Sequence, residues 1–169
     1  AYAMSREYTL RNCLSVVRND YDYILLDCQP SLGMLTINAL ASADSVLIPV
    51  QSQYFALRGM TDLFKIINKV RRQINPTLKI DGALLTLVDR RTNLSKEIEK
   101  QITENYGSML KLYKTQIPRA IKTAESTSQG ESIFSYDKNG LVAEAYSSFA
   151  KEVLNDGKEP IKNATTKVR

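Results

Sequence analysis

Apolar residues in this chain form two kinds of pattern, which alternate along its length. Short continuous apolar runs lie at residues 23–26, 45–50 and 83–88. A strand without alternating polar positions is typical of a parallel sheet that is buried on both faces. Between and after these runs, apolar residues recur every three or four positions, as on one face of a helix. The pattern predicts an α/β fold with a doubly wound, mostly parallel sheet and right-handed crossovers.

The helical spacing and the breakers set the predicted boundaries of the remaining elements. Helices are predicted at Ser5–Asn19, at about Met60–Ile74, from Leu94 to a terminator at Gly107 with Leu94, Ile98 and Ile102 facing inward, and at about Leu141–Asn155. A short strand is predicted near Leu110–Ile117, and residues 118–140 are predicted to be irregular. Residues 1–155 are predicted to form one domain, and residues 156–169 a polar, disordered tail.

The composition excludes several classes of active site but does not identify a function. The 169 residues contain no histidine, which excludes Ser-His-Asp and Cys-His nucleophiles and zinc sites with histidine ligands. The two cysteines lack CxxC spacing, so reduced thiols in the cytoplasm are expected. No apolar run is long enough to span a membrane. The net charge of +5 is compatible with an anionic partner, although a solvated basic surface is its commoner cause.

In open parallel sheets, ligands bind beyond the carboxyl ends of the strands, so the segments just after the apolar runs are the candidate sites. Asp27 directly follows the first run, where its carboxylate could hold Mg²⁺ or cap the next helix. Arg91 lies in the turn after the third run, and a solvated basic turn is the alternative to a contact with an anion. The residues alone leave both alternatives open.

Four stretches resemble one known family, and they occur in its order. YDYILLDCQPSLGMLTINAL at residues 21–40 is similar to the Walker B and switch II segment of the ParA/Soj partition ATPases. The other stretches are residues 46–59, with VLIPVQ and YFALRG; residues 84–94, with LLT, Asp89 and RTNL; and IPR at 117–119 with AEAY at 143–146. Ordered agreement over about residues 5–155 is far more specific than a single motif.

The resemblance implies a fold, an activity and partners. The fold would be that of the P-loop NTPases of the SIMIBI type. The intact protein would use ATP and Mg²⁺ to form a homodimer that binds DNA non-specifically, and a ParB-like partner would stimulate hydrolysis. A cytoplasmic, nucleoid-associated location follows, without a membrane.

The resemblance also assigns roles to individual residues. It makes Asp27 the Walker B aspartate that positions the Mg²⁺ shell through water. The residues of switch II would be Ser31, Leu32 and Gly33. Pro118 and Arg119 match the segment that lines the adenine pocket. Arg91 matches an arginine that the family uses on DNA, and Lys122 falls where a second such arginine usually lies, so it would neutralise a phosphate as a point charge.

The chain departs from the family because it contains no GxxxxGK(S/T) loop. Without this loop, backbone amides and a lysine are lacking around the β- and γ-phosphates. The chain is therefore expected to be the C-terminal two-thirds of a partition ATPase, without the N-terminal strand and P-loop, and not to hydrolyse ATP alone.

Other functions remain to be weighed beside the ATPase. The main alternative is a non-catalytic module that binds DNA and dimerises without nucleotide turnover. An unrelated dinucleotide-binding domain is disfavoured because GxGxxG is absent. Residues 158–169 contain too few apolar side chains for the membrane anchor of a MinD-like protein. The basic residues Lys65, Lys69, Arg71 and Arg72 are interpreted as an exposed helix face rather than a groove for DNA.

Overall fold

A computed structural model describes residues 6–29, 31, 33–53, 56–89 and 91–156. A 3-10 helix at Arg6–Tyr8 precedes the elements α1 (Thr9–Leu14), α2 (Met34–Ser42), β1 (Ser45–Gln51), α3 (Ala56–Gln73), β2 (Lys79–Thr86), α4 (Asn93–Tyr106), α5 (Ile121–Ser128), α6 (Ile133–Tyr136) and α7 (Leu141–Asp156). None of the helices described is both long and apolar enough to cross a membrane.

The sheet is parallel, as the apolar runs predict. β1 pairs with β2 from Ser45 opposite Lys79 to Gln51 opposite Thr86, and α3 forms the crossover between them. Beyond β2, the chain returns along its other side, where Leu112 bridges to Ala83 and Pro118 to Val88 in parallel orientation. The expected strand near Leu110–Ile117 is thus reduced to two isolated bridges, one inside that range and one at Pro118.

Both faces of β2 are buried, which explains its continuous apolar run. Leu85 belongs to a large core that α3 and α4 cover, together with the fully buried Ile67, Ile98 and Ile102. Leu84 belongs to a second, smaller core with Tyr113, Ile117 and Val142. Since neighbouring residues of a strand point to opposite faces, helices must cover β2 on both sides. The doubly wound α/β prediction is confirmed in this part of the sheet.

The prediction of a buried strand at residues 23–26 is wrong. Tyr23 is 69% exposed and Leu25 is 92% exposed, and the segment has no regular secondary structure. A strand requires a partner for its backbone groups, and in the described chain the only ladder of β1 is the one with β2. The segment therefore has the apolar composition of a buried strand, but the described chain provides no neighbouring strand for it.

Helix predictions failed where the apolar face was short or missing. Residues 118–140 are not irregular, because they contain α5 and α6. In α5 only Ser126 is buried, while Ile121 is 78% exposed, so there was no apolar stripe to detect. The first helix is shorter than Ser5–Asn19 and has no buried residue. α4 ends at Gly107 as expected, but Leu94 is 43% exposed and does not face inward.

A buried asparagine joins α2 to the segment between α3 and β2. The Asn75 amide donates to the carbonyls of Leu40 at 3.0 Å and Ala43 at 2.8 Å, and its oxygen accepts from Thr77 Oγ1 at 2.9 Å. Asn75 is 7% exposed, so water cannot easily replace these bonds. We expect Asn75→Ala to lower the free energy of unfolding by about 2–3 kcal/mol, because it leaves two carbonyls without this donor.

Urea unfolding monitored by circular dichroism measures this change. Asn105→Ala is the matched control, because the exposed Asn105 amide bonds only the nearby Gln101 carbonyl of its own helix, at 2.8 Å. The control should change stability by no more than about 0.5 kcal/mol. Equal losses in the two variants would contradict a special role for Asn75.

Candidate nucleotide and DNA site

The fold brings several of the loops that contain site residues to one edge of the sheet. α2 leads into β1, so its first residue lies near the edge where β1 and β2 end. Ser52 joins the ends of the two strands there, since its amide donates to the Thr86 carbonyl and its hydroxyl to the Leu87 carbonyl, both at 3.1 Å. Ser52 is buried, so this link is shielded from water.

The chain leaves β2 through a strained residue. Leu87 has φ 52°, the left-handed region that residues with a Cβ rarely adopt. Such a conformation costs on the order of 1 kcal/mol and persists only where the surroundings hold it. The bond from the Ser52 hydroxyl to the Leu87 carbonyl is one such restraint. The turn at Leu87 directs the chain towards Val88 and Asp89.

Val88 brings the predicted adenine-side residues beside the end of β2. Its amide donates to the Ile117 carbonyl at 3.0 Å, and its carbonyl accepts from the Arg119 amide at 3.1 Å. Pro118 thus lies directly opposite Val88. The positive charge of Arg119 also contributes to a lower pKa of Asp89. Pro118 and Arg119 therefore lie next to the loop that contains Arg91.

Asp89 orients Arg91 through a fork of hydrogen bonds. Arg91 Nε lies 3.2 Å from Asp89 Oδ1, its Nη2 lies 3.3 Å from Oδ2, and its backbone amide lies 3.0 Å from Oδ1. The bond from the Arg91 side chain is the main reason that the pKa of Asp89 lies below its usual value. The Arg91 side chain is nevertheless 91% exposed. Its guanidinium is thus paired with Asp89 while most of the side chain faces solvent.

Asp89 is a residue to which the sequence analysis assigned no role and which the structure pairs with Arg91. The family resemblance included it only as part of a motif, without a role. Its signal was the spacing, because a carboxylate two positions before an arginine can close a local ring with that arginine's amide and guanidinium.

Lys122 lies on α5 and is paired with α6. Its Nζ lies 3.0 Å from Asp137 Oδ1, and this bond is the main cause of a raised Lys122 pKa. The hydroxyl of Tyr136 donates to Glu125 Oε2 at 3.1 Å, a second link between the same helices. α5 begins two residues after Arg119. Lys122 and Arg91 are thus paired with different carboxylates.

The loop before α2 contains the remaining site residues, of which Leu32 lies outside the described residues. Gly33 is the N-cap of α2 and has no side chain that could bond the first-turn amides. The Thr36 hydroxyl donates to the Ser31 carbonyl at 2.5 Å and ties the loop to the helix. Asp27 is exposed. The pKa of the neighbouring Cys28 thiol is raised by the partial burial of that thiol and by the negative charge of Asp27.

The side chain of Cys28 is exposed, so this residue is not packed in the core. Its raised pKa keeps the thiol protonated and unreactive at neutral pH.

The described side chains could bind Mg²⁺ only together with a ligand that supplies further oxygen atoms. Within the described ranges, no group of three or more cysteine, aspartate or glutamate side chains could hold a metal ion. Mg²⁺ commonly keeps several waters and is bound by one or two carboxylates together with substrate phosphates. A single exposed carboxylate such as Asp27 suits that arrangement and not a permanent metal site.

Comparisons with known proteins identify relatives of this chain. A family model described as an AAA domain matches residues 1–80. The sporulation initiation inhibitor protein Soj of Bacillus subtilis is 44% identical over 154 residues, which are 91% of this chain and 60% of that protein. The chromosome partitioning protein ParA of Caulobacter vibrioides is 40% identical over 152 residues, which are 89% of this chain and 56% of that protein.

Solved structures extend the similarity to the fold. Cobyrinic acid a,c-diamide synthase from Mycobacterium smegmatis, with bound ADP and magnesium, aligns with TM-score 0.78 and 32% identity over 94% of this chain and 56% of that chain. A plasmid partition protein from Borrelia burgdorferi aligns with TM-score 0.67 and 18% identity over 92% of this chain and 56% of that chain, a likeness of fold alone.

The chain spans about three fifths of the length of the curated relatives that it matches. The matched length is 89–91% of this chain. The parallel α/β sheet agrees with that of P-loop NTPases. This chain belongs to the ParA/Soj family of P-loop NTPases.

Proposed function

We propose that this chain is part of a partition ATPase that couples the binding of ATP and Mg²⁺ to the binding of DNA. Two relatives that support this are named for chromosome partitioning, and they are 40% and 43% identical to the chain. A structure that is 32% identical to the chain contains ADP and magnesium. The whole activity would require the remainder of the relatives' length as well.

The observation that carries the proposal is the arrangement around Val88. This residue bonds the segment of Pro118 and Arg119 on one side and leads directly into the Asp89–Arg91 pair on the other. Only one residue, Val88, therefore separates a nucleotide-side contact from a DNA-side cation and its carboxylate. A shift of residues 117–119 on nucleotide binding would move Asp89, and Arg91 would move with it.

Each residue has a defined part in the proposed reaction. Asp27 would orient the water shell of Mg²⁺, which neutralises phosphate charge when it is bound with ATP. Ser31, Leu32 and Gly33 would respond to the γ-phosphate, and Pro118 and Arg119 would flank the adenine. Arg91 and Lys122 would neutralise DNA phosphates. A homodimer, a ParB-like stimulating protein and a nucleoid-associated, cytoplasmic location belong to the same proposal.

A second candidate function is a DNA-binding and dimerisation module without nucleotide turnover. The specific observation in its favour is that the exposed Arg91 pairs with Asp89 of its own loop, a contact that involves none of the proposed nucleotide-binding residues. DNA binding would then need no ATP. Measuring DNA affinity with and without ATP and Mg²⁺ separates the two functions, because only the first predicts a nucleotide effect.

Arg91→Ala tests the DNA contact that both functions share. If Arg91 neutralises one phosphate, the plot of log affinity for duplex DNA against log salt concentration should become shallower by roughly 0.9, and affinity at about 0.1 M salt should fall roughly eightfold. Fluorescence anisotropy with a duplex of random sequence measures both quantities. Arg11→Ala removes the same charge from α1, another exposed position, and should leave the slope unchanged. An unaltered slope in Arg91→Ala contradicts the proposed contact.

A further inference from the structure

Most of the net positive charge of this chain lies on one helix. α3 contains five of the 23 basic residues and one of the 18 acidic residues, so it accounts for four of the five net positive charges. Arg58 and Asp62 lie in its first half. Lys65, Lys69, Arg71 and Arg72 lie in its second half. The rest of the chain has a net charge of about +1, and the second half of α3 contains four basic residues and no acidic one.

The side chains of this half border a shallow polar depression that is open to solvent, which we call the α3 cleft. Lys65, Asn68, Lys69, Arg72 and Gln73 line a volume of about 360 Å³. All five residues are exposed. The rise of an α-helix places Lys65 and Arg72 roughly 10 Å apart along the axis, with Lys69 between them. The structure agrees with the exposed basic face that the sequence indicated, and it places these three cations along one side of the helix.

The opposite face of α3 fixes the cleft in position. Met60, Phe64, Ile67 and Val70 are buried in the large core. Phe64 stacks on Tyr106 of α4, with ring centroids 5.1 Å apart. The backbone that bears the cleft is therefore rigid, and only the ends of the long side chains must be ordered when an anion binds. This lowers the entropic cost of binding.

The α3 cleft lies away from Arg91. α3 begins after the carboxyl end of β1 and ends before the amino end of β2, so its second half approaches the edge of the sheet where the strands begin. That edge is marked by the bond from the Lys79 amide to the Asp44 carbonyl, at 3.0 Å. Arg91 follows the opposite ends of the strands. The two basic surfaces are therefore separate.

We propose that the α3 cleft is a second contact surface for the sugar-phosphate backbone of duplex DNA. The proposal rests on the DNA-binding function proposed above and adds a site to it. Ammonium, guanidinium and side-chain amide groups are the donors that proteins use on phosphate oxygens. Lysine and arginine contacts of this kind carry no base specificity, which suits non-specific binding.

The chemistry of the lining favours duplex DNA over two other polyanions. Single-stranded nucleic acid is bound on aromatic side chains, and the cleft has none in its lining. The centre of a protein interface is enriched in apolar and aromatic anchors, and the five lining residues are all polar. An acidic protein would therefore lack an anchor in the α3 cleft.

Asp62 provides a test in which binding increases. Its Oδ1 lies 2.8 Å from Lys65 Nζ, one turn before the cleft, and it competes with any phosphate for that cation. Asp62→Asn removes the competitor and one negative charge. We expect several-fold tighter DNA binding from Asp62→Asn, a gain that a damaged fold could not produce. Asp20→Asn, at another exposed acidic position, is the matched control for the change in net charge.

The main test removes the cations of the α3 cleft from the 169-residue chain. The triple variant Lys65→Gln, Lys69→Gln and Arg72→Gln is compared with Arg11→Gln, Lys114→Gln and Lys151→Gln, which removes three charges from exposed positions elsewhere. Anisotropy titrations with duplex DNA at several salt concentrations give affinity and slope. We expect the slope to fall by roughly two to three in the first variant and affinity to fall more than tenfold at about 0.1 M salt.

The outcomes separate this proposal from the one it rests on. Equal effects of the two triple variants overturn the α3 cleft as a site, and if Arg91→Ala still lowers the slope, the proposed DNA-binding function stands without it. A loss in the cleft variant but none in Arg91→Ala supports the α3 cleft and contradicts the contact at Arg91. No binding of duplex DNA by the parent chain contradicts both. Competition by polyglutamate that equals that of DNA and depends on the same three cations overturns the assignment to DNA.

Discussion

Gly82→Ala is expected to lower the free energy of unfolding by about 3 kcal/mol or more. Gly82 lies in β2 with φ 157°, a conformation that residues with a side chain rarely adopt. A Cβ at this position would lie 2.6 Å from the Lys111 carbonyl oxygen and 2.9 Å from Tyr113 Cε2. The cost therefore has two sources, backbone strain and steric overlap.

The neighbours of Gly82 cannot move aside cheaply. The Lys111 carbonyl accepts from the Ala83 amide at 2.8 Å, and the Tyr113 amide donates to the Ala83 carbonyl at 2.9 Å. Tyr113 is 3% exposed and meets the ring of Phe149 edge-on, with centroids 5.1 Å apart. Relief of the overlap would break the bridges beside β2 or open the smaller core.

Gly59 provides the control for this substitution. It lies in α3, and a Cβ there would meet no atom within 4 Å. Gly59→Ala should raise stability by up to about 1 kcal/mol, because alanine favours the helix. Urea unfolding of the two variants gives effects of opposite sign. A loss below about 1 kcal/mol in Gly82→Ala would contradict the close approach of the Lys111 segment.

The fold could be predicted from the sequence where a continuous apolar run forms a strand that is buried on both faces. Leu84 and Leu85 are adjacent and enter different cores, so alternation was absent for a physical reason. Residues 23–26 form a similar apolar run but have no neighbouring strand in the described chain, and Tyr23, Ile24 and Leu25 are exposed. Apolar runs report a capacity for burial, and pairing depends on what else is present.

Two features of the structure could not be recognised from the sequence pattern. Gly82 follows a shift in the ladder, since Val46 pairs with Ile80 while Leu47 pairs with Gly82, and a single glycine in a strand does not reveal this bulge. α5 lacks an apolar face because its side chains are mostly exposed, so its hydrogen bonds and not its pattern define it.

Which residues form the site stays a prediction from the motifs, whereas their contacts come from the structure. The ordered motifs identified Arg91, Pro118 and Arg119 as site residues. They gave no indication that Val88 bonds both flanks of Pro118, because that contact joins residues about 30 positions apart. The pair of Lys122 and Asp137 is similarly a tertiary contact, formed by the packing of α5 and α6. The order of the motifs predicts which residues form the site, and tertiary packing determines the contacts between them.

The second large effect concerns Asp27 in a polypeptide that carries this chain together with a phosphate-binding loop. We expect Asp27→Asn to lower ATP turnover by about 10- to 100-fold, because an outer-shell carboxylate that orients Mg²⁺ ligands typically contributes that much. The variant should also need a higher Mg²⁺ concentration for half-maximal turnover. Asp27 is exposed, so the substitution should not disturb folding.

Turnover measured over a range of Mg²⁺ concentrations tests this expectation, with Asp22→Asn as a nearby exposed control. Turnover and Mg²⁺ dependence equal to the parent would remove Asp27 from the proposed site. DNA binding by Asp27→Asn gives the complementary result, since Arg91 is positioned by Asp89 and not by Asp27. Nucleotide-free DNA binding should survive in Asp27→Asn while its response to ATP and Mg²⁺ weakens. If the parent polypeptide shows no such response, the DNA contact works without nucleotide, and the non-catalytic module is the better description of this site.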